Sequence, residues 1–343
     1  MKKKILVTGG TGYIGSHTAV ELIDSGYEVV IIDNLHNSEA GVADRICQIT
    51  GVKPELAVFD LCDAEKLENF FAVHRGIEGI IHFAAFKAVG ESVRKPLEYY
   101  RNNLLSLINL LESMKRHGIP GIVFSSSCTV YGQPEKLPVT EDAPIQPAVS
   151  PYGNTKRICE EIIRDSVLAG GNIRAVSLRY FNPIGAHPSA LIGELPRGVP
   201  ENLVPYITQT AYGLRDELKV FGDDYDTPDG SCIRDYLHVV DLSKAHVVAV
   251  NRILEGRSRE NYEVFNLGTG QGVSVLEAIR SFERANGIKV RYTVTNRRPG
   301  DIEKIWADPS LANRELGWKA VSSLDDAMKS AWEWEKQIRK ETK

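Results

Sequence analysis

Tyr152 and Lys156 are the first side chains whose types and spacing suggest chemistry. They lie four positions apart in the stretch Tyr152-Gly153-Asn154-Thr155-Lys156, directly after Ser150-Pro151. On a helix, both side chains project from one face. A free tyrosine, with a pKa of about 10, is a poor base at neutral pH, and an ammonium group about one turn away favours its phenolate. The pair therefore predicts a tyrosine general base whose pKa is lowered by the lysine.

The position of this pair after a run of serines strengthens the prediction. The same spacing occurs by chance in many chains, where it means one aromatic side chain and one solvated lysine. Here it follows Phe124-Ser125-Ser126-Ser127, in which an apolar strand ends in hydroxyl residues. The carboxyl ends of parallel strands face the ligand, so a serine hydroxyl at this edge is placed to relay a proton.

Gly9, Gly12 and Gly15 follow the first apolar run with the spacing GxxGxxG. A loop without side chains lets backbone N–H groups and a helix N-terminus approach a pyrophosphate, although glycines alone also fit a simple tight turn. Asp33 ends the next predicted strand, where a carboxylate accepts hydrogen bonds from a ribose hydroxyl and repels a 2′-phosphate. The combination favours NAD over NADP. Asp60, at the end of the third strand, is expected near the adenine, but it equally fits a helix cap.

Short apolar runs alternate with helical patterns through the first half of the chain, which is typical of a parallel sheet covered on both faces. The predicted strands are Lys4–Thr8, Glu28–Asp33, Glu55–Phe59, Gly79–Phe83, Gly121–Ser125 and Arg174–Arg179. The predicted helices are Gly12–Ser25, Pro96–His117 and Pro151–Ala169. We therefore predict an α/β fold with a Rossmann-type doubly wound parallel sheet in residues 1–181, the NAD-binding domain.

The pattern changes after Phe181, where a stretch rich in proline and glycine lacks a clear period. The later predicted strands are Leu218–Phe221, Glu263–Leu267 and Arg291–Val294, and the later helices are Asp241–Leu254, Ser274–Asn286 and Leu324–Gln337. We predict that residues 182–343 form mainly a smaller C-terminal α/β substrate domain, with some chain crossing back to the first domain. The site is then expected in the cleft between the two.

The composition is that of an ordinary globular enzyme, with 343 residues, 43% hydrophobic residues and a formal net charge of −4. This charge gives no sequence-wide reason to expect nucleic acid or an anionic membrane as a partner. The basic run Lys2-Lys3-Lys4 is followed by too short an apolar stretch for a signal peptide, and no stretch is long enough for a membrane span. Five scattered cysteines without a CxxC pair are typical of reduced thiols, so we expect a cytoplasmic protein, and we expect no metal site.

At this point the motifs resemble those of the extended short-chain dehydrogenases/reductases, nearly from end to end. Within that family the chain is similar to the members that invert C4 of a UDP-hexose. The segments that carry the resemblance are Val7–Thr18, His82–Ser92, Arg179–Pro188, Arg234–Leu242 and Arg297–Asp301. The glycine loop is shared across the superfamily, whereas KAVGES and RYFNPIGAHPS are much more specific.

The resemblance implies interconversion of UDP-glucose and UDP-galactose through a transient 4-keto sugar and tightly bound NAD. It implies that Tyr152 is the base, Lys156 its partner and Ser127 the proton relay, and these three also contact the cofactor. The other residues implied to bind the dinucleotide are Gly9, Gly12, Tyr13, Ile14, Gly15, Asp33, Asn34, Asn37, Ser38, Asp60, Leu61, Phe83, Ala84, Ala85, Lys87, Asn102 and Tyr180. The residues implied to bind the UDP-sugar are Lys87, Ser127, Tyr152, Phe181, Asn182, Asn202, Leu203, Lys219, Phe221, Arg234, Tyr236, Arg298, Asp301 and Ile305.

The chemistry of the substrate set is consistent with its implied role. Arg234 and Arg298 suit a diphosphate, and Phe221 can border uracil. Taken singly, the arginines would more often be surface charges and Phe221 a core residue. Their common placement after the region rich in proline and glycine favours substrate binding.

Ile305 is a departure from the family pattern. Four residues after Asp301 the family often carries a bulky tyrosine that limits room for a 2-N-acetyl group. Isoleucine is smaller, so we hypothesise that UDP-N-acetylglucosamine is also a substrate, with UDP-N-acetylgalactosamine as its product.

Three other functions share parts of this pattern. A 4,6-dehydratase normally needs an Asp-Glu pair just after the strand-end hydroxyl, where this chain has Cys128-Thr129. A non-catalytic NAD-binding scaffold would be expected to lose Tyr152 or Lys156, and both are present. An epimerase for a UDP-pentose or UDP-uronate remains open.

The family resemblance also implies a homodimer formed through the helices around Pro96–His117 and Pro151–Ala169.

Overall fold

The computed structural model describes residues 2–170, 172–298 and 301–341. Its strands are β1 Lys4–Thr8, β2 Glu28–Asp33, β3 Glu55–Val58, β4 Ile77–His82, β5 Gly121–Ser125, β6 Arg174–Tyr180, β7 Asn182–Ile184, β8 Leu218–Phe221, β9 Ile233–Arg234, β10 Tyr236–His238, β11 Tyr262–Leu267, β12 Val273–Ser274 and β13 Tyr292–Thr295. Its α-helices are α1 Tyr13–Asp24, α2 Val42–Thr50, α3 Ala64–Val73, α4 Val89–Arg94, α5 Pro96–His117, α6 Pro151–Leu168, α7 Leu203–Tyr212, α8 Val239–Leu254, α9 Val275–Asn286, α10 Ser310–Glu315 and α11 Leu324–Glu341. A 3-10 helix spans Cys128–Tyr131.

The main sheet has seven parallel strands in the order β11-β6-β5-β4-β1-β2-β3. The strand order therefore reverses between β1 and β4, which is the position of the ligand crevice in doubly wound folds. The predicted Rossmann-type α/β fold is confirmed.

Helices cover both faces of this sheet because alternate residues of each strand point to opposite sides. In β1, Ile5 and Val7 belong to the core beneath α1 and α8, whereas Leu6 belongs to the core beneath α3, α5 and α6. All three side chains are fully buried. The continuous apolar runs noted in the sequence thus reflect burial on two faces.

Two long helices bring the catalytic candidates to the carboxyl edge of the sheet. The first turn of α6 is set by Ser150, whose side chain accepts a hydrogen bond from the Gly153 N–H at 3.1 Å, and by Pro151 at the first helical position. α5 also begins with a proline, Pro96, and packs against α6.

The second half of the chain forms a smaller apolar cluster and then returns to the main sheet. Residues of α7, β8, α9 and α11 share one core, which includes Ile207, Val220, Phe282 and Met328. The segments predicted as Asp241–Leu254 and Glu263–Leu267 do not belong to this unit. Instead, α8 packs on the main sheet and β11 pairs with β6. The boundary between residues 181 and 182 stays a prediction.

No helix among residues 2–170, 172–298 and 301–341 combines the length and the apolar character that crossing a bilayer requires.

Candidate active site

The Tyr152 and Lys156 side chains lie on the same side of α6, as their spacing predicts. The Lys156 ammonium is 6.0 Å from the centroid of the Tyr152 ring and 4.8 Å from that of Phe124. Lys156 Nζ donates a hydrogen bond to the carbonyl oxygen of Ser125 at 2.6 Å. The helix is therefore fixed to the end of β5, the strand that leads to Ser127.

The Ser127 hydroxyl lies near Tyr152 and lowers the pKa of the phenol, but burial has a larger effect and raises this pKa well above its ordinary value. The nearby Tyr180 raises it further. Burial also lowers the pKa of Lys156 to about 8. The sequence predicted a tyrosine pKa lowered by the lysine, and the structure gives the opposite direction. The reason is that desolvation of a phenolate outweighs an ammonium group whose hydrogen bond goes to a backbone carbonyl.

A buried ion pair supports this edge of the sheet, and the sequence analysis missed it. Arg179 donates to both carboxylate oxygens of Glu160, with the shortest contact at 2.6 Å. The Glu160 carboxylate also accepts a hydrogen bond from Ser126 Oγ at 2.5 Å. The residue before Ser127 is thus held from α6 and β6 together. The available signal was a glutamate one turn beyond Lys156, on the same helical face.

The glycine loop makes a cradle that admits no side chains. A Cβ atom on Gly9, whose φ is +70°, would lie 2.7 Å from the Ala84 backbone nitrogen, and one on Gly15 would lie 2.2 Å from the Gly9 oxygen. No side chain caps α1 at Gly12, within the part of the chain that the structure describes. The N-terminus of α1 therefore faces a surface of bare backbone, which suits a pyrophosphate.

Asp33 lies beside this cradle at the end of β2. Its carboxylate accepts hydrogen bonds from the Thr11 N–H at 3.1 Å, the Leu35 N–H at 2.9 Å and Ser38 Oγ at 3.1 Å. Thr11 Oγ1 is in turn 2.7 Å from Ser38 Oγ. The acidic residue thus ties the glycine loop to the loop after β2, at the place where a ribose would lie.

Asn34 and Asp60 form a second contact between neighbouring strand ends. Asn34 Nδ2 donates to Asp60 at 3.0 Å, and the Cys62 N–H donates to the other carboxylate oxygen at 2.8 Å. Burial raises the pKa of Asp60, but these hydrogen bonds outweigh it and hold the pKa below its usual value. The carboxylate is therefore ionised at neutral pH.

The substrate candidates with aromatic and charged side chains lie in the second half of the fold. Phe221 and Lys219 share the outward face of β8, and Phe221 is 37% exposed. The Arg298 guanidinium lies 5.4 Å from the centroid of the Phe221 ring and donates to Asp301 at 2.7 Å. Phe221 is therefore not a core residue. Pro299 and Gly300 belong to the segment Arg297–Asp301, which carries part of the family resemblance, and they lie outside the residues that the structure describes.

Arg234 connects these candidates to the catalytic edge. It lowers the pKa of Cys128, the residue after Ser127, although burial raises that pKa to about 12. It also lowers the pKa of the buried Tyr236, which desolvation raises more strongly. Phe181 and Ile305 belong to the same buried cluster as Cys128. The structure thus places Arg234, Phe181 and Ile305 near Cys128, the residue after Ser127.

Lys87 and Asn202 meet on a residue that the sequence analysis did not select. Glu194 Oε1 accepts from Lys87 Nζ at 3.0 Å and from Asn202 Nδ2 at 2.6 Å. Lys87 also lies 5.9 Å from the centroid of the Tyr13 ring, and the Tyr13 hydroxyl donates to the Gly185 oxygen at 2.6 Å. No local pattern marks Glu194, since it lies in the irregular segment after β7.

The remaining candidates occupy the expected edge or its flanks. Phe83 packs on His246, with ring centroids 4.7 Å apart, and the Tyr180 hydroxyl is hydrogen-bonded to Ser125. Asn102 Nδ2 donates to Asn103 Oδ1 at 2.9 Å, and Leu61 is buried. The other predicted positions are Ile14 in α1, Asn37 in the loop after β2, Ala85 after β4, Asn182 at the start of β7 and Leu203 at the start of α7. Across the described ranges, no group of three or more His, Cys, Asp or Glu residues is arranged to hold a metal ion.

Comparisons with known proteins find similarity over nearly the whole chain. The model of the family described as GDP-mannose 4,6 dehydratase matches residues 6–331. The UDP-glucose 4-epimerase of Bacillus subtilis (strain 168) is 51% identical over 331 residues, which are 96% of each chain. The crystal structure of the UDP-glucose 4-epimerase from Bifidobacterium longum in complex with NAD+ and UDP has a TM-score of 0.94 and 48% identity, covering 98% of this chain and 99% of that one. The UDP-Glc/GlcNAc 4-epimerase from Campylobacter jejuni has a TM-score of 0.83 and 35% identity, covering 98% and 99%.

The chain belongs to the UDP-glucose 4-epimerase family.

The matched family model is named for a dehydratase. A dehydratase normally needs an Asp-Glu pair directly after the strand-end hydroxyl, whereas this member of the UDP-glucose 4-epimerase family has Cys128 and Thr129 there. Cys128 and Thr129 begin the 3-10 helix, and the Cys128 thiol is buried with a raised pKa. Neither side chain is a carboxylic acid that protonates a leaving hydroxyl.

Proposed function

We propose that this protein is an NAD-dependent epimerase that interconverts UDP-glucose and UDP-galactose. The observation that carries the proposal is the placement of Tyr152 near Ser127 and on one face of α6 with Lys156. The three groups lie at the carboxyl edge of the main sheet, on the same edge as the glycine cradle.

The residues around the glycine loop fit the cofactor. Gly9, Gly12 and Gly15 would carry the pyrophosphate on bare backbone, and Asp33 would accept the adenosine ribose hydroxyls. The Asp33 carboxylate would also repel a 2′-phosphate, so NADP is disfavoured. When bound, NAD supplies the acceptor for the hydride of sugar C4, and its oxidised ring adds a positive charge that favours a phenolate.

Tyr152 acts as the base for the 4-hydroxyl group. The proton of that hydroxyl is taken through or beside Ser127 Oγ, which lies near the phenol. Lys156 holds the α6 helix against β5 and keeps an ammonium group on the Tyr152 side. Tyr152 later gives the proton back to the C4 oxygen, so substrate and product differ only in the configuration of C4.

Inversion requires that the 4-keto sugar turn over while the nucleotide stays in place. Arg234 and Arg298 suit the diphosphate, and the exposed ring of Phe221 suits the uracil. Binding energy is thus placed on the UDP part and away from the hexose, which leaves the sugar free to present its other face.

The test is incubation of the purified protein with UDP-galactose, UDP-glucose, a UDP-pentose and a UDP-uronate, followed by product stereochemistry. We expect C4 inversion of the two hexoses and bound NAD in the purified protein. Turnover of only a pentose or uronate, or a protein without NAD, would contradict the proposal.

Ile305 favours a second substrate class, the UDP-N-acetylhexosamines. Its side chain is buried in one cluster with Phe181, Val139 and Cys128, and its N–H donates to the Ile233 oxygen at 3.1 Å. An aliphatic residue held back in this way takes less room than a tyrosine would. Turnover of UDP-N-acetylglucosamine by the purified protein tests this extension, and its absence beside normal UDP-glucose turnover would refute it.

We also propose a homodimer that acts in the cytoplasm in galactose metabolism. Leu97, Leu105 and Ile108 are exposed at helical spacing along α5, and Leu97 is 79% exposed. Such an apolar stripe on a helix that packs against α6 supports a helix-bundle interface. Light scattering should give a dimer mass, and the double substitution Leu105→Glu with Ile108→Glu should give a monomer.

A further inference from the structure

A short segment of the second half of the chain connects two strand-end loops of the main sheet. It comprises residues 194–197, here called the strap, in the irregular stretch between β7 and α7. At one end of the strap, Glu194 Oε1 accepts a hydrogen bond from Lys87 Nζ at 3.0 Å. The Glu194 side chain is only 12% exposed, and Lys87 lies in the loop after β4. The strap is therefore joined to the loop after β4.

Arg197 joins the other end of the strap to the loop after β2. Its guanidinium group donates to the backbone oxygen of His36 at 2.8 Å and to the backbone oxygen of Ser38. A guanidinium group presents its N–H donors in a rigid planar fork, so one arginine can hold two carbonyl groups at once. The loop after β2 is thus tied to the second half of the chain at two of its carbonyl groups.

The order of the strands places the glycine cradle between these two loops. β1 lies between β4 and β2 in the main sheet, and the cradle follows β1 at the same carboxyl edge as both loops. A segment bonded to the loops after β4 and β2 therefore spans the end of β1, where the crevice of a doubly wound fold opens. The two loops also touch each other, because the His36 ring packs on the Phe86 ring with centroids 4.8 Å apart. The crevice at the cradle is thus bridged twice.

Contacts with α11 support the backbone of the strap. Trp334 Nε1 donates to the Glu194 backbone oxygen at 2.9 Å, and a Cβ atom on Gly193 would lie 2.5 Å from the Trp334 ring. Pro196 comes directly before Arg197, and its ring restricts the backbone further. Because the strap is fixed from behind in this way, moving it off the loop after β2 requires that the Arg197 hydrogen bonds break.

We infer that Arg197 is a positioning residue that holds the strap across the dinucleotide crevice and thereby slows the release of NAD. The inference deepens the proposed function and rests on it. The Ser38 hydroxyl donates to Asp33, so Arg197 holds the same loop that positions the ribose-binding carboxylate. Epimerisation involves no net oxidation, so the cofactor has no need to leave between turnovers, and a strap that retains it is compatible with catalysis.

Exchange of bound NAD for isotope-labelled NAD tests the inference. The purified, NAD-containing protein is kept in an excess of deuterium-labelled NAD, and the unlabelled cofactor that stays bound is measured by mass spectrometry after acid release. Arg197→Ala removes two charge-assisted hydrogen bonds to the loop, so exchange should be about tenfold faster than in the unaltered protein. Arg197→Lys keeps the charge but lacks the fork, so its exchange rate should fall between the two.

Arg75→Ala is the matched control for Arg197→Ala. Arg75 is also an exposed arginine that donates to a backbone oxygen, that of Ala72 at 2.9 Å, but it lies just before β4 at the opposite edge of the sheet. Its exchange rate should equal that of the unaltered protein. The inference would be overturned by unchanged exchange in Arg197→Ala, or by equal acceleration in Arg75→Ala. Equal rates in the lysine and alanine variants of Arg197 would contradict a role in hydrogen bonding to the loop.

Trp334→Phe covers the case in which Arg197→Ala does not fold. It keeps an aromatic ring against Gly193 and removes only the N–H donor to the Glu194 oxygen. The strap then loses part of its support from α11, so NAD should exchange about threefold faster, and an unchanged rate would also overturn the inference. A purified protein without NAD, or without turnover of UDP-galactose, would contradict the proposed function itself. Bound NAD and normal turnover with equal exchange rates would remove only the role of Arg197.

Discussion

Lys156 Nζ lies 6.0 Å from the centroid of the Tyr152 ring and gives its hydrogen bond to the backbone oxygen of Ser125, not to the phenol. The ammonium group thus fixes the helix to the strand and stays on the Tyr152 side of the helix. Ser127 is the hydroxyl group near enough to Tyr152 to lower the pKa of the phenol. This division of roles separates the proton relay from the charge that favours the phenolate.

Replacing Tyr152 with phenylalanine should remove the base and leave the cofactor cradle intact. We expect at least a hundredfold fall in UDP-galactose turnover, since general acid–base catalysis is typically worth that much or more. The NAD content of the purified variant, measured after acid release, should equal that of the unaltered protein. Near-normal turnover in this variant would mean that another group takes the proton.

Gly15→Ala should expel the cofactor and destabilise the fold. The added Cβ would lie 2.2 Å from the Gly9 oxygen, a backbone atom that cannot move without opening the loop. We expect a loss of about 1–3 kcal/mol in the free energy of unfolding and at least tenfold less bound NAD, judged from the usual cost of overpacking.

The control for this substitution is Gly41→Ala. Gly41 has helical dihedral angles, with φ −59° and ψ −16°, and nothing lies within 4 Å of an added Cβ. Its unfolding free energy should stay the same or rise slightly, because alanine reduces the freedom of the unfolded chain. Equal NAD content in Gly15→Ala and Gly41→Ala would show that the loop does not hold the cofactor.

Much of this site was predictable because its parts are local in sequence. Spacing along the sequence reveals the GxxGxxG loop, the strand-end Asp33 and the Tyr152–Lys156 pair, because each lies within one strand, turn or helix. Glu160 and Arg179 were missed because they lie on different elements, α6 and β6, which only the folded chain brings together. Glu194 was missed because it lies in an irregular segment, which has no sequence period. The direction of the Tyr152 pKa shift was missed because desolvation depends on the folded chain and not on local sequence.

Burial of neutral histidines should make the protein less stable in acid. His246 is fully buried between Phe83 and Tyr180, and desolvation lowers its pKa to about 4, with a smaller opposing effect from the Leu242 carbonyl. The unfolded chain binds a proton near pH 6.5 and the folded chain does not until about pH 4. Stability is therefore complete above the higher value and is lost as the pH falls between the two.

His246→Phe tests this contribution, because an aromatic ring of similar size stays between the same neighbours. Between pH 7 and pH 5 the unaltered protein should lose about 2 kcal/mol of unfolding free energy more than the variant. Urea unfolding at the two pH values measures the difference. Parallel pH profiles would show that His246 is protonated in the folded protein.

Ile305→Tyr should narrow the substrate range. Ile305 is buried in the cluster that contains Phe181 and Cys128. Cys128 directly follows Ser127, whose hydroxyl is the proposed proton relay. A tyrosine cannot fit the same buried space, so its ring must extend toward the sugar, where a 2-N-acetyl group needs room. We expect turnover of UDP-N-acetylglucosamine to fall at least tenfold, whereas UDP-galactose turnover changes little.

Ile305→Val is the matched control for this substitution, because it keeps an aliphatic side chain and removes one methylene group. It should preserve both activities at the cost of about 1 kcal/mol of stability. The measurement is the ratio of kcat/KM for the two substrates in the three proteins. A ratio that stays constant from isoleucine to tyrosine would place the N-acetyl group elsewhere, since a ring added beside it must discriminate between the substrates.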